Sequence, residues 1–285
     1  MKVAVVIPAH NEAEFLPKTL QSLIDQTLVP TQIIVVNDAS TDSTQTVINN
    51  FSENYPFIKS VQTNAVSAHA PGSKVVQAFY KGFDLVKNDY NIICKFDADL
   101  IFPSNYIQRI VGIFENNKQC GIAGGFCYIK KNNEWSLESL TNPDHIRGAL
   151  KAYRKECFEA IGGIKSEMGW DTVDELLAKY NGWAVITDES LHVKHLKPTG
   201  KVYSKSARYK QGEAFYRMRY GFLLTIIAAT KLAFKKKKIH ILFDSLNGYR
   251  IAKKKNLPFI VSEDEGKFIR AHRWKGIKSK LGLLS

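Results

Sequence analysis

Short aliphatic runs alternate with amphipathic stretches over the first hundred residues. "VAVVIPAHNE" is a β-branched run that ends at Pro8. In "EAEFLPKTLQSLIDQ", Phe15, Leu16, Leu20, Leu23 and Ile24 share one face at helical spacing. "QIIVVND" predicts a second buried strand, Gln32 to Val36, and "STDSTQTVINNF" opens a helix with Ser and Asp as candidate caps. "FIKSVQT" predicts a third strand, Gly72 to Val86 a helix, and "NIICKF", Asn91 to Phe96, a fourth strand. Strand and helix alternating at this spacing predict an α/β fold, a mostly parallel sheet with helices on both faces. Such sheets bind ligands beyond the carboxyl ends of their strands.

Polar residues cluster at those ends. Pro8-Ala9-His10-Asn11-Glu12 follows the first strand, Asn37-Asp38 the second and Asp97-Ala98-Asp99 the fourth. A lone D-x-D is usually a solvated turn or a helix cap. Beside two other polar strand ends it reads as part of a convergent site. Two carboxylates held close either raise a pKa or bind a positive charge. Their hard oxygens suit Mg²⁺ or Mn²⁺, ions that bridge protein carboxylates to substrate phosphates. Neither GxGxxG nor GxxxxGK[ST] occurs, so a diphosphate would be held by metal and cationic side chains.

Charge adds a division of the chain. The 285 residues carry a net +13, yet residues 1 to 200 sum to −3 and those from Lys201 onward to +16. That shift predicts a boundary near residue 200, with a catalytic unit over 1–200 and a basic, partly apolar helical extension over 201–285. The four cysteines form no CxxC pair and suggest neither a zinc site nor a disulfide framework. "MKVAVVIP" reads as a first strand and not as a leader. The longest apolar stretch, Gly221 to Phe234, is interrupted by Lys231 and falls short of the roughly 20 residues that span a bilayer. The expectation is a cytoplasmic protein, with peripheral binding to the membrane's inner face open to it.

"VVIPAHNE", "IIVVNDASTDST", "KFDADL" and "GWDTVDELLAKYNGW", in that order, resemble family 2 glycosyltransferases of the GT-A (Rossmann-like) fold. The resemblance covers about residues 1 to 200. It implies a nucleotide-sugar donor, a divalent cation (Mn²⁺ or Mg²⁺) and inversion at the anomeric carbon. By position, Pro8, Ala9, Asn11 and Glu12 resemble the family's nucleotide-binding turn. Asp38 matches the aspartate that contacts the base, typically uracil. Asp97 matches the first D-x-D residue, near ribose and metal, and Asp99 the last, on the metal. Lys74 falls where the family often has a basic residue near the nucleotide, although "APGSKVVQAFYKG" lacks the usual Ala-Arg-Asn triplet.

The family often shows Glu-Asp before a helix that ends in Gly. Counting back from Gly182 places that pair at Trp170-Asp171, with Trp170 in place of the Glu. Asp171 then matches the catalytic base and is also a candidate N-cap. Asp174 and Glu175, three and four residues on, share its helical face and are the alternates. His195 resembles a histidine that completes the metal shell in some GT-A enzymes; the other reading is an ordinary surface histidine. His192 reads as structural and His10 as a nucleotide contact.

From Lys201 onward "SARYKQGEAFYRMRYGFLLTIIAATKLAFKKKK" reads as helix, continuous or broken once near Gly221. Apolar helices flanked by Lys235–Lys238 and Lys253–Lys255 resemble interfacial membrane anchors and point to an anionic surface and a glycan or lipid-linked acceptor. Helices packed on the catalytic unit with a solvated basic face are the plainer reading. A nucleic-acid-binding protein would explain the tail and leave the strand-end aspartates unexplained, and no nucleic-acid-binding motif accompanies the charge. A nucleotidyltransferase also places acids at parallel strand ends, but "PAHNEAEF" lacks the glycine- and basic-rich loop that grips a triphosphate.

Overall fold

The computed structural model describes residues 1–63, 73–86, 89–138, 144–197 and 208–282. Four parallel strands form one half of the sheet: β1 (Val3–Ala9), β2 (Gln32–Asp38), β3 (Ile58–Thr63) and β4 (Ile92–Phe96), in the order β3-β2-β1-β4. Helices α1 (Leu16–Ile24), α2 (Thr44–Asn54) and α3 (Ser73–Phe83) connect them. Val3 to Ile7 and Ile33 to Val36 are all buried. They are continuous apolar runs because helices cover both faces of a parallel sheet. α3 lies close against the sheet at Gly82, where a Cβ would stand 2.6 Å from both Val36 Cγ2 and Val6 Cγ1.

Three boundaries depart from the sequence reading. β2 continues to Asp38, so this carboxylate ends a strand. α1 begins at Leu16 because Phe15 and Leu16 first form a turn on the Glu12 carbonyl, and Pro17 then sits in the first helical turn, where its missing N–H costs nothing. α3 stops at Phe83, and Gly72, its expected first residue, lies outside the described residues.

The second half of the sheet is mixed. β8 (Leu150–Arg154) pairs antiparallel with β4 and with β6 (Cys120–Lys131). β6 runs parallel to β9 (Ala184–His195), and two-residue β5 (Leu100–Ile101) pairs with the end of β9. β7 (Glu134–Leu137) folds back on β6, while α4 (Tyr106–Asn116), α5 (Lys155–Ala160) and α6 (Trp170–Tyr180) complete this half.

Beyond β9 lie α7 (Lys210–Arg217), α8 (Phe222–Lys236), α9 (His240–Lys254) and α10 (Glu263–Lys280). The expected boundary at residue 200 lies outside the described residues. The basic segment is broken between α7 and α8, at Arg219 (φ 55°) and Gly221 (φ 77°). α7 and α9 cross at two glycines: a Cβ on Gly212 would meet the Ser245 carbonyl oxygen at 1.8 Å, and one on Gly248 would meet that of Tyr209 at 2.1 Å. α10 opens with a capping box between Ser262 and Glu265 and reaches α6 through a Tyr180–Phe268 ring contact at 5.5 Å.

Candidate active site

The polar turns after β1 and β2 are stitched together. His10 Nδ1 lies 2.6 Å from the Asp38 carbonyl oxygen, which can only accept, so the ring donates from Nδ1. Asn11, at φ 55°, accepts from the Thr41 N–H at 2.8 Å, and the Glu12 N–H donates to Thr44 Oγ1 at 2.9 Å. The Asp38 carboxylate accepts from Thr63 Oγ1 at 2.7 Å. At α2 the capping carboxylate is Asp42, which takes the Thr44 N–H at 3.0 Å, while Ser43 makes no capping bond. Lys74 stands in the first turn of α3, and no hydrogen bond or ion pair among the described residues joins it to these turns.

The D-x-D turn is held from α1. Buried Thr19 donates its hydroxyl to the Ala98 carbonyl at 2.7 Å and accepts the Leu100 N–H at 3.0 Å. The short β5–β9 pairing then sets His195 beside Asp99, with Nε2 3.3 Å from Oδ2. His195 is not a surface histidine: it is buried, and its Nδ1 meets Glu138 at 3.2 Å, which in turn pairs with Arg147 at 3.0 Å. Burial alone would lower the His195 pKa, but the bonds to Asp99 and Glu138 outweigh it and lift it to about 9.

These residues fit a divalent cation on one observation in particular. Glu12 Oε2 is buried without a hydrogen-bond partner, and burial raises the Glu12 pKa, with Asp99 and Asp97 adding to the rise against Lys197. Asp99 and His195 thus meet at 3.3 Å, with the Glu12 carboxylate near enough to feel the Asp99 and Asp97 charges, and carboxylate oxygen with imidazole nitrogen suits Mn²⁺. Cys127, Glu138 and His195 also lie together, within 4.8 Å by their ligand atoms. Burial drives the Cys127 thiol far above its ordinary pKa and Arg147 pairs with Glu138 at 3.0 Å, both of which disfavour this trio as ligands.

At the head of α6 the three carboxylates part company. The N-cap is Gly169 at φ 80°, so Asp171 lies inside the first turn and is not the cap. Asp174 and Glu175 are enclosed, and fully buried Lys151 on β8 reaches both, at 2.7 and 3.1 Å. The Tyr153 hydroxyl also donates to Asp174, and Lys151 donates to the Asp171 carbonyl. Burial pushes Asp174 up to about 6. Asp171 retains about a third of its side-chain exposure, 35%. Burial opposes its ionisation, yet His145 and the Lys151 charge outweigh that and hold it down at about 2. His145 bridges the pair: Nδ1 stands 3.0 Å from Glu175 and Nε2 3.7 Å from Asp171. α6 ends where Gly182, at φ 81°, and Trp183 bond back to Lys179 and Ala178.

Lys95 joins the two carboxylate centres. Its ammonium pairs with Asp97, donates to the Gly148 carbonyl at 3.0 Å and lies 5.4 Å from the Trp170 ring centroid. Gly148 is required there, since a Cβ would meet Trp170 at 2.6 Å and Asp171 Cβ at 3.1 Å. His192, by contrast, packs its ring on Tyr128 at 4.3 Å.

The neighbours of the candidate site missed in the sequence are His145, Arg147, Gly148, Lys95, Lys151 and Glu138. "DHIRGALKAYRKE" held the usable signal: a His, an Arg and a Gly immediately before a short alternating strand. Alternation there suggests a half-exposed strand, whereas β8 is buried along its whole length between β4 and β6.

A D-x-D turn at the end of a parallel strand, closed by a histidine from a mixed second half-sheet, is the arrangement of the GT-A fold. The structure superposes on residues 1–349 of S. aureus TarS in complex with UDP-GlcNAc with a TM-score of 0.57 at 17% identity, covering 94% of this chain and 78% of that one. It superposes on the mannosyltransferase PcManGT from Pyrobaculum calidifontis, in complex with GDP-Man and Mn²⁺, with a TM-score of 0.56 at 15% identity, covering 97% and 80%. Residues 4–164 match the Glycosyl transferase family 2 profile, and the chain belongs to that family. It is 35% identical over 131 residues to the probable glycosyltransferase YdaM of Bacillus subtilis, covering 45% of this chain and 30% of YdaM. It is 32% identical over 142 residues to the chondroitin synthase of Pasteurella multocida, covering 49% of this chain and 15% of that protein. The chain thus spans less than a third of the length of either relative.

Proposed function

We propose that this chain is a metal-dependent, inverting glycosyltransferase that moves a sugar from a nucleoside-diphosphate sugar, UDP-linked, to an acceptor hydroxyl. The observation that carries the reading is the contrast at α6. Of its three clustered carboxylates, Asp171 alone keeps solvent access, while Asp174 and Glu175 are enclosed with Lys151. One accessible carboxylate suits direct displacement, in which a single base takes the acceptor proton and no covalent intermediate forms.

In this mechanism the turn at Pro8–Glu12, with Asp38, holds the nucleoside, and Lys74 and Asp97 flank it. Asp99, Asp97 and His195 would hold the cation, which supplies charge neutralisation for the departing diphosphate. Asp171 accepts the proton from the attacking oxygen, and His145 positions its carboxylate. Glu138 orients His195, as an outer carboxylate orients a ligating imidazole.

The acceptor in this reading is a glycan or lipid-linked chain of a cell-surface polysaccharide or glycolipid, a class to which the chondroitin synthase relative lends support. Residues 1–200 form the catalytic unit and 201–285 an extension, in a cytoplasmic enzyme working at the inner membrane face. The test is a thermal-shift and product-release assay across nucleotides with and without Mn²⁺. Stabilisation by UDP that requires Mn²⁺, with sugar transfer lost in Asp171→Asn, is the expected result. Stabilisation by a nucleoside triphosphate with release of pyrophosphate would mark a nucleotidyltransferase instead.

A further inference from the structure

The hairpin formed by α8 and α9 exposes apolar side chains where a soluble helix pair would hide them. Phe234 is 81% exposed, Ile239 67% and Phe243 59%. All three sit at the turn, which is closed by bonds from the Lys237 and Lys238 N–H groups to Phe234 and Ala233. Leu223, also 59% exposed, lies eleven residues before Phe234 and therefore on the same face of α8, three turns away.

Cations ring this apolar tip. Lys235 and Lys236 end α8, Lys237 and Lys238 occupy the turn, and Lys237 caps α8 in the left-handed conformation. α10 brings more: the Lys231 ammonium is destabilised first by Lys280, then by partial burial, Lys235 and Arg273. Like charges crowded this way favour a neighbouring anion. Among the described residues no helix is long and apolar enough to cross a membrane.

We propose that the α8–α9 hairpin docks on an anionic lipid bilayer, with Phe234, Ile239 and Phe243 entering the headgroup layer and Lys231 and Lys235–Lys238 meeting lipid phosphates. The combination selects this partner. A nucleic acid would use the lysines and leave aliphatic Ile239 in water. A protein interface would be depleted of lysine at its apolar centre. An interfacial helix buries its apolar face a few ångströms deep and adds a salt-screened attraction from its lysines. The docking supplies the contact by which the proposed enzyme would work at a membrane face, and it does not depend on the transfer reaction.

The experiment uses the full chain and vesicles of phosphatidylcholine alone or mixed with phosphatidylglycerol. Co-sedimentation should require the anionic lipid and decline with added salt. Changing Lys235–Lys238 together to Gln should weaken binding by about tenfold or more. The triple change Phe234→Ser, Ile239→Ser, Phe243→Ser should weaken it by about as much. All of these side chains but half-buried Lys236 are exposed, so both variants should stay close to the wild-type melting temperature. The four native cysteines are buried, so Phe234→Cys can be labelled selectively with an environment-sensitive fluorophore, whose emission should shift to the blue on anionic vesicles. Three results each overturn the proposal: no sedimentation at low salt, an unshifted label with binding lost only in the lysine variant, or a dimer in the ultracentrifuge that the serine variant dissolves. Transfer activity on a soluble acceptor, measured in parallel, separates failure of docking from failure of the enzymatic reading.

Discussion

Lys151 and Asp174 form an ion pair of 2.7 Å in which neither side chain retains any exposure. Lys151 also reaches buried Glu175, so removing Lys151 strands two buried carboxylates, at a cost of about 3–5 kcal/mol, whereas removing Asp174 leaves Lys151 a partner. Lys151→Met should therefore lower the urea midpoint more than Asp174→Asn does. Lys151→Met combined with Asp174→Leu should unfold less readily than Lys151→Met alone, because one stranded carboxylate is gone. Equilibrium urea unfolding of the three proteins checks both statements.

Asp171→Asn should behave in the opposite way. A general base contributes about 10²–10⁴-fold to rate, so turnover should fall by that order while UDP affinity and melting temperature stay near wild type. Steady-state kinetics with calorimetric UDP titration decides it. An active Asp171→Asn beside a well-folded but inactive Glu175→Gln would transfer the role to Glu175.

His145 should set two pH dependences. Its folded pKa of about 9 lies above the ordinary 6.5. Burial works against the charged form, and the bonds to Asp171 and Glu175 outweigh burial. Its stabilisation is thus complete below about pH 6.5 and is lost as pH rises through about 9. Asp171 has the reverse sign: its contribution is complete above about pH 3.8 and is lost as pH falls through about 2. The stability gap between wild type and His145→Gln should close between pH 6.5 and 9. In the same variant the acid limb of the rate profile should move to higher pH, because Asp171 loses the cation that keeps it ionised.

Asp99→Ala should abolish Mn²⁺-dependent UDP binding without unfolding the chain. Glu138→Gln should weaken that binding by about 10–100-fold, as loss of an outer carboxylate does. Calorimetry of UDP with and without Mn²⁺ separates the two. UDP affinity that is unchanged in Asp99→Ala would remove the cation from this turn.

Glycine substitutions should split by place. Gly212→Ala and Gly248→Ala drive a methyl into backbone at 1.8 and 2.1 Å and should lower the melting temperature by several degrees or prevent folding. Gly276→Ala, in α10 with nothing within 4 Å, should raise stability by about 0.5–1 kcal/mol. Thermal denaturation of the three variants reads the contrast.

The first half of this fold was legible in the sequence because its physics is local. Ile33 to Val36 is an unbroken apolar run and Ile92 to Phe96 one broken only by Lys95, and Asp38, Asp97 and Asp99 stand at their ends. The second half was not. β8 carries Lys151 and Arg154 into the interior, and only pairing with strands far along the chain makes that tolerable. The same distance hid the identity of the Asp171 partners, since His145 and Lys151 meet it only once α6 packs on β8. Asp171 itself could be located by counting from Gly182, but its place inside the first turn depends on Gly169 adopting φ 80°.

β8 also bears on how this scaffold can be changed. Its five residues are all buried between two neighbouring strands, and from it Lys151 grips Asp174, Glu175 and the backbone of Asp171. A strand that serves as both central beam and charge holder leaves little freedom to natural drift or to directed evolution. Libraries aimed at a new donor or acceptor would yield more if they spared residues 150–154 and diversified exposed Thr41 in the turn after β2, where a new side chain meets solvent instead of the middle of the sheet.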